Sequence, residues 1–164
     1  MKRSSVVLIC LFALGLASEK LLAQGIGFNG VGGRLGYFDP EALSGTVGVG
    51  AHANLGEITK NLTLLPTVEY WGKSGLSQWS LAADARYHYS AGEVNPFVGF
   101  GLGLYFTDAE NFGGSTDLGL DLLGGVDVPV SENLTFSGEI KFVVTELNSI
   151  RISGGLTYFL NKGK

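Results

Sequence analysis

The sequence predicts an all-β fold: an eight-stranded antiparallel up-and-down transmembrane β-barrel after a cleaved signal peptide. Three observations carry the prediction. Apolar residues alternate with polar or small ones along the chain after residue 24, as on strands with two unlike faces. The alternating runs are about 10 to 13 residues long, beyond the usual ~5–6 and near the ~9–11 that cross a bilayer on a tilt. The chain of 164 residues is 45% hydrophobic and only 16% charged, with 26 glycines and 4 prolines. A soluble domain carries about 25% charged residues, and high glycine with few prolines fits β structure rather than disorder.

Residues 1–23 read as the signal peptide. Lys2 and Arg3 give the positive start, and residues 6–17 form an apolar run too short to span a bilayer as a helix. Cleavage fits after Ala23 or after Ala17, which leaves 24–164 as one barrel domain. The single cysteine, Cys10, lies in the leader, so the mature chain has no disulfide and no thiolate ligand. Ile9 stands before it where a lipoprotein wants a small residue. Beyond Gln24 no stretch has the ~18 consecutive apolar residues of a membrane helix, so only a closed barrel could enter a membrane.

Strand-like runs cover 26–38, 45–55, 62–71, 76–89, 96–107, 117–128, 134–144 and 150–160. Turn chemistry separates them, as in Asp39-Pro40-Glu41, Gly72-Lys73-Ser74-Gly75 and Ala91-Gly92-Glu93. An even number of similar strands joined by short turns closes as a meander. In the central hairpin Leu81, Ala83, Ala85, Tyr87 and Tyr89 oppose Ala82, Asp84, Arg86, His88 and Ser90. The next strand sets Val98, Phe100, Leu102, Leu104 and Phe106 against Gly99, Gly101 and Gly103.

Apolar faces could look inward, as in a soluble periplasmic lipocalin-like carrier, or outward at lipid. Three features favour lipid. The smallest residues sit on the polar face, where a lumen barely wide enough for side chains needs them; Gly99, Gly101 and Gly103 would make room for Asp84 and Arg86. Aromatics gather near strand ends: Tyr37, Tyr70, Trp79, Phe106 and Phe142 for one girdle, Phe28, Tyr87, Tyr89, Phe136 and Tyr158 for the other. Polar-face charges balance, with Arg34, Arg86, Lys141 and Arg151 against Glu69, Asp84, Asp121 and Glu139. Buried charges must pair, so these eight form an expected structural charge network in the lumen.

The segment Ala85-Arg86-Tyr87-His88-Tyr89, followed by Asn95-Pro96-Phe97-Val98-Gly99-Phe100-Gly101-Leu102-Gly103, resembles the small bacterial outer-membrane β-barrel proteins: OmpX, the OmpA membrane domain and the opacity proteins. Ser153, Gly155, Tyr158 and Leu160 resemble that family's C-terminal assembly signal, although Asn161-Lys162-Gly163-Lys164 follows where a terminal Phe is common. The resemblance implies the cell outer membrane, with outer-membrane lipid and the barrel-assembly machinery as partners, and the even strand count then puts both termini in the periplasm. It implies no particular activity. A monomer is expected. Of the outward connections, 108–115 reads as the longest and most polar.

Catalytic signals are weak. His88 and Ser90 resemble the His-x-Ser pair of outer-membrane lipid A deacylases, but both point inward at the periplasmic end, and the nearest downstream carboxylate is Glu93 in the turn. Gly25-Ile26-Gly27-Phe28-Asn29-Gly30 matches a dinucleotide fingerprint without its strand–helix setting. Two histidines, His52 and His88, and Asp117, Asp121 and Asp127 lack metal or calcium-loop spacing. No catalytic, cofactor or metal site is expected, and a net charge of -4 without a basic patch argues against nucleic acid. The expected role is structural or at the envelope surface, with a side-chain-filled lumen. A narrow channel for small solutes and the lipid A-modifying hydrolase stand as alternatives.

Overall fold

The computed structural model describes residues 26–41, 44–89, 91–110 and 113–160. The leader at 1–23, Ser90 and residues 161–164 lie outside the described residues. Nine strands follow one another: β1 (Gly30–Pro40), β2 (Thr46–Asn54), β3 (Glu57–Thr59), β4 (Leu62–Lys73), β5 (Leu76–His88), β6 (Asn95–Ala109), β7 (Gly113–Pro129), β8 (Leu134–Val144) and β9 (Ser149–Phe159). Chain neighbours other than β2 and β3 pair antiparallel, β9 pairs with β1, and β2 pairs with β4, so the sheet closes on itself. The three-residue β3 adds only a rung to the foot of β4. The wall itself is an eight-stranded up-and-down barrel.

Local chemistry explains the joints. Ser74 and Gly75 both have positive φ, 52° and 77°, the twist-matched two-residue turn of a tight hairpin. The β2–β4 ladder is short, from Gly48↔Trp71 to His52↔Thr67. It stops beside Pro66, which has no N–H to donate. Past the proline the seam resumes irregularly, with Leu55 N–H on the Leu64 carbonyl at 3.0 Å and Leu64 N–H on that of Gly56 at 3.1 Å.

Strand β8 has its expected bounds, while β1 starts later, at Gly30. Residues 26–29 are a lead-in held by Gly27 N–H on the Leu55 carbonyl and Asn29 N–H on that of Asn54. The connection expected at 108–115 is corrected: β6 and β7 stay paired to Ala109↔Gly113, because alternation through Thr107 and Ser115 keeps the ladder going.

Faces follow alternation. Val98, Phe100 and Leu102 on β6, Leu118, Leu120 and Leu122 on β7, and Ile140 and Phe142 on β8 are exposed on the outside. The charged side chains fill the inside. Aromatics collect in two outer rows. At the end away from the chain termini, Tyr70 lies against Trp79 (ring centroids 4.6 Å) and Trp79 pairs across with Phe106. At the terminal end Tyr87 meets Tyr89 edge-on at 5.0 Å, and Tyr158 pairs with Leu134.

Candidate functional site

Among the described residues, chemistry-bearing side chains converge most densely in the lumen. Alternation points Arg34, Glu69, Asp84, Arg86, Asp121, Glu139, Lys141 and Arg151 inward from six strands, and closure brings all eight together. Glu139 accepts from Arg34 at 2.8 Å and from Arg86 at 2.5 Å. Glu69 accepts from Arg151 at 2.5 Å and from Arg34 at 3.4 Å, so Arg34 bridges the two glutamates. Lys141 Nζ donates to Asp84 at 2.7 Å and lies 3.4 Å from Asp121. No side chain of the eight is more than 4% exposed. Four cations balance four anions, which is how a water-poor interior tolerates charge.

Neutral groups complete the plug. Tyr105 donates its hydroxyl to Asp121. Gln78 Oε1 accepts from Arg151 at 2.9 Å and from Trp71 Nε1 at 3.1 Å. The Arg151 guanidinium lies over Phe38 at 4.8 Å, and that of Arg86 over Phe97 at 4.5 Å. Phe38, Trp71, Phe97 and Tyr105 are all within 2% of full burial. The sequence reading did not single out these inward aromatics, although Trp71 shares the face of Glu69, and Phe97 that of Gly99.

The glycine stripe needs one correction. A Cβ on Gly101 would come 2.2 Å from Asp84 Oδ1, so this glycine does make room for the aspartate. Gly99 instead faces Leu123, and Gly103 faces Tyr105. Arg86 sets its guanidinium over the Phe97 ring instead.

A second polar group sits at the terminal mouth. His88 Nε2 is 3.0 Å from Asp127 Oδ2, Ser137 donates to Asp127 Oδ1 at 2.6 Å, and Thr63 Oγ1 is 3.5 Å from His88 Nδ1. The carboxylate beside His88 is therefore Asp127 of β7, not Glu93. Strands two apart in the wall approach only through barrel curvature, which local sequence does not display. His52 Nε2 meets Thr157 Oγ1 at 2.8 Å. Among the described residues no three His, Cys, Asp or Glu side chains form a metal-ligand group, and the glycine-rich 27–30 segment leads into β1. Of the expected assembly-signal positions, Ser153 and Gly155 lie on the inward parity of β9. Tyr158 and Leu160 are half exposed at the terminal end, with Leu160 N–H on the Asn29 carbonyl at 2.8 Å.

The outer belt decides the surroundings. Large apolar side chains face out all round a wall whose charges are inside, the reverse of a soluble barrel. Solved structures with this arrangement are similar. The N-terminal barrel domain of Pseudomonas aeruginosa OprF matches with a TM-score of 0.65 at 15% identity, over 82% of this chain and 99% of that one. Neisserial surface protein A matches with a TM-score of 0.61 at 16% identity, over 79% and 94%. The outer membrane enzyme PagL matches with a TM-score of 0.53 at 16% identity, over 79% and 98%. By fold this is a bacterial outer-membrane β-barrel. Its apolar belt faces outward, as on a barrel surrounded by hydrocarbon. No family model and no curated protein matches the sequence.

Proposed function

We propose that this chain is a closed, non-enzymatic barrel with a structural or envelope-surface role, its lumen sealed by the charge network. The single observation that carries this reading is the neutral cluster of eight charged side chains, none above 4% exposed, flanked by buried aromatics. Conduction needs a continuous aqueous path, and a plug with every charge paired leaves little incentive for ions to enter. In this reading His88 serves as a mouth residue bonded to Asp127, the terminal end faces the periplasm, and the barrel acts as a monomer. Ser153, Gly155, Tyr158 and Leu160 serve as the segment read by the barrel-assembly machinery. Reconstitution into a planar lipid bilayer tests the proposal: the current trace should stay flat, and a stable large single-channel conductance would make the protein a porin instead.

A further inference from the structure

Strand β7 outruns its neighbour on one side only. Its ladder with β6 is complete to Gly113, whereas its ladder with β8 stops at Leu120↔Val144. The segment from Gly113 to Gly119 is therefore an open sheet edge roughly 20 Å long. The polarity of that edge can be read from the pairing. Val130 N–H bonds the Leu134 carbonyl, so even-numbered β7 residues aim their backbone groups toward the β8 side. Gly114, Thr116 and Leu118 thus present N–H and C=O groups beyond the last rung, and all three are exposed, Leu118 at 72%. Elsewhere at this end the β1–β9 and β5–β6 ladders reach the strand tops, at Pro40↔Ser149 and Leu76↔Ala109, and the β2–β4 ladder runs up to Gly48↔Trp71.

The charge around the edge is one-sided. Asp117, on the inner face, accepts from Ser115 Oγ at 3.1 Å. Asp108 stands across from Gly114 on the outer face, its Oδ2 3.3 Å from where a Gly114 Cβ would lie. Asp39, Glu41 and Glu146 add further negative charge at this end. The one cation there among the described residues, Lys73, is spent on Ser44 Oγ and the Gly45 carbonyl, both at 2.8 Å.

We propose that the free edge of β7 is a docking strand for an extended, positively charged peptide segment of another protein. The segment adds to the sheet through the backbone groups of Gly114, Thr116 and Leu118. Lysine or arginine side chains of the added strand reach Asp117 on one face and Asp108 on the other. A second copy of this chain fits poorly. Barrel strands tilt by about 40°, so a two-fold axis along the membrane normal sets two β7 edges nearly at right angles rather than antiparallel.

The test uses the refolded full-length barrel in non-ionic detergent. Two fluorescent heptapeptides with blocked ends, one alternating Lys and Val and one alternating Glu and Val, are titrated by fluorescence anisotropy, with empty micelles as baseline. The Lys–Val peptide should bind at least tenfold more tightly than the Glu–Val peptide. Thr116→Pro removes one edge N–H without touching the β6 ladder, and it should weaken binding at least tenfold. N-methylation of alternate peptide nitrogens should do the same on the unaltered protein, which keeps the test open if the proline variant folds badly. No binding above the micelle baseline, equal binding of both peptides, or full binding by the N-methylated peptide would each overturn the proposal.

Discussion

The two faces of β6 differ more than any two separate regions of the molecule. Outward, Val98, Phe100 and Leu102 are each more than half exposed; inward, Gly99, Gly101 and Gly103 alternate with them in the same strand. In a water-soluble barrel the bulk would point in and the small or polar side out. Here the solvent outside is hydrocarbon, so large apolar groups cost nothing there. The inside must fit a narrow tube, so it takes glycine wherever a long charged or aromatic side chain crosses. One alternating sequence thus sets both the lipid contact and the plug.

The contrast can be broken at single residues. The largest effect is expected at the centre of the plug. Lys141→Met leaves Asp84 and Asp121, both 0% exposed, without their cation. The loss should be about 3–5 kcal/mol in urea unfolding from lipid vesicles. Trp71, inside, and Trp79, outside, supply the fluorescence signal. On the lipid side Leu102→Arg should cost about 2–4 kcal/mol if that residue lies near the bilayer midplane. A harmless Leu102→Arg would mean the face meets water. Smaller still, Gly101→Ala presses a methyl toward Asp84 Oδ1 and should cost about 1–3 kcal/mol. Gly33→Ala, on the outer face with nothing nearer than the Gly50 carbonyl at 3.8 Å, should stay within about 0.5 kcal/mol. Equal losses for the two glycines would erase the distinction between the faces.

Much of the architecture was legible because alternation is a local property. It marks the strands, the parity of Asp84 and Arg86 on β5, and that of Glu139 and Lys141 on β8. Partners are not local. That Glu139 holds Arg34 and Arg86 from two other strands depends on closure and tilt, and so does the approach of His88 to Asp127. The β6–β7 hairpin was read too short because Gly113, Gly114 and Ser115 look like turn residues, yet the ladder carries them. The short seam beside Pro66 has a sequence cause, but only closure shows that β2 is the strand it fails to bond.

The central claim is which face meets lipid. Nuclear Overhauser contacts between methyl groups of the otherwise deuterated barrel and the acyl chains of the surrounding lipid measure it directly. Leu102, Leu120 and Ile152 methyls should show strong acyl-chain contacts, while those of Leu65, Leu123 and Val143, all buried inside, should show none. Acyl-chain contacts at Leu65, Leu123 and Val143 with silence at Leu102, Leu120 and Ile152 would contradict the account.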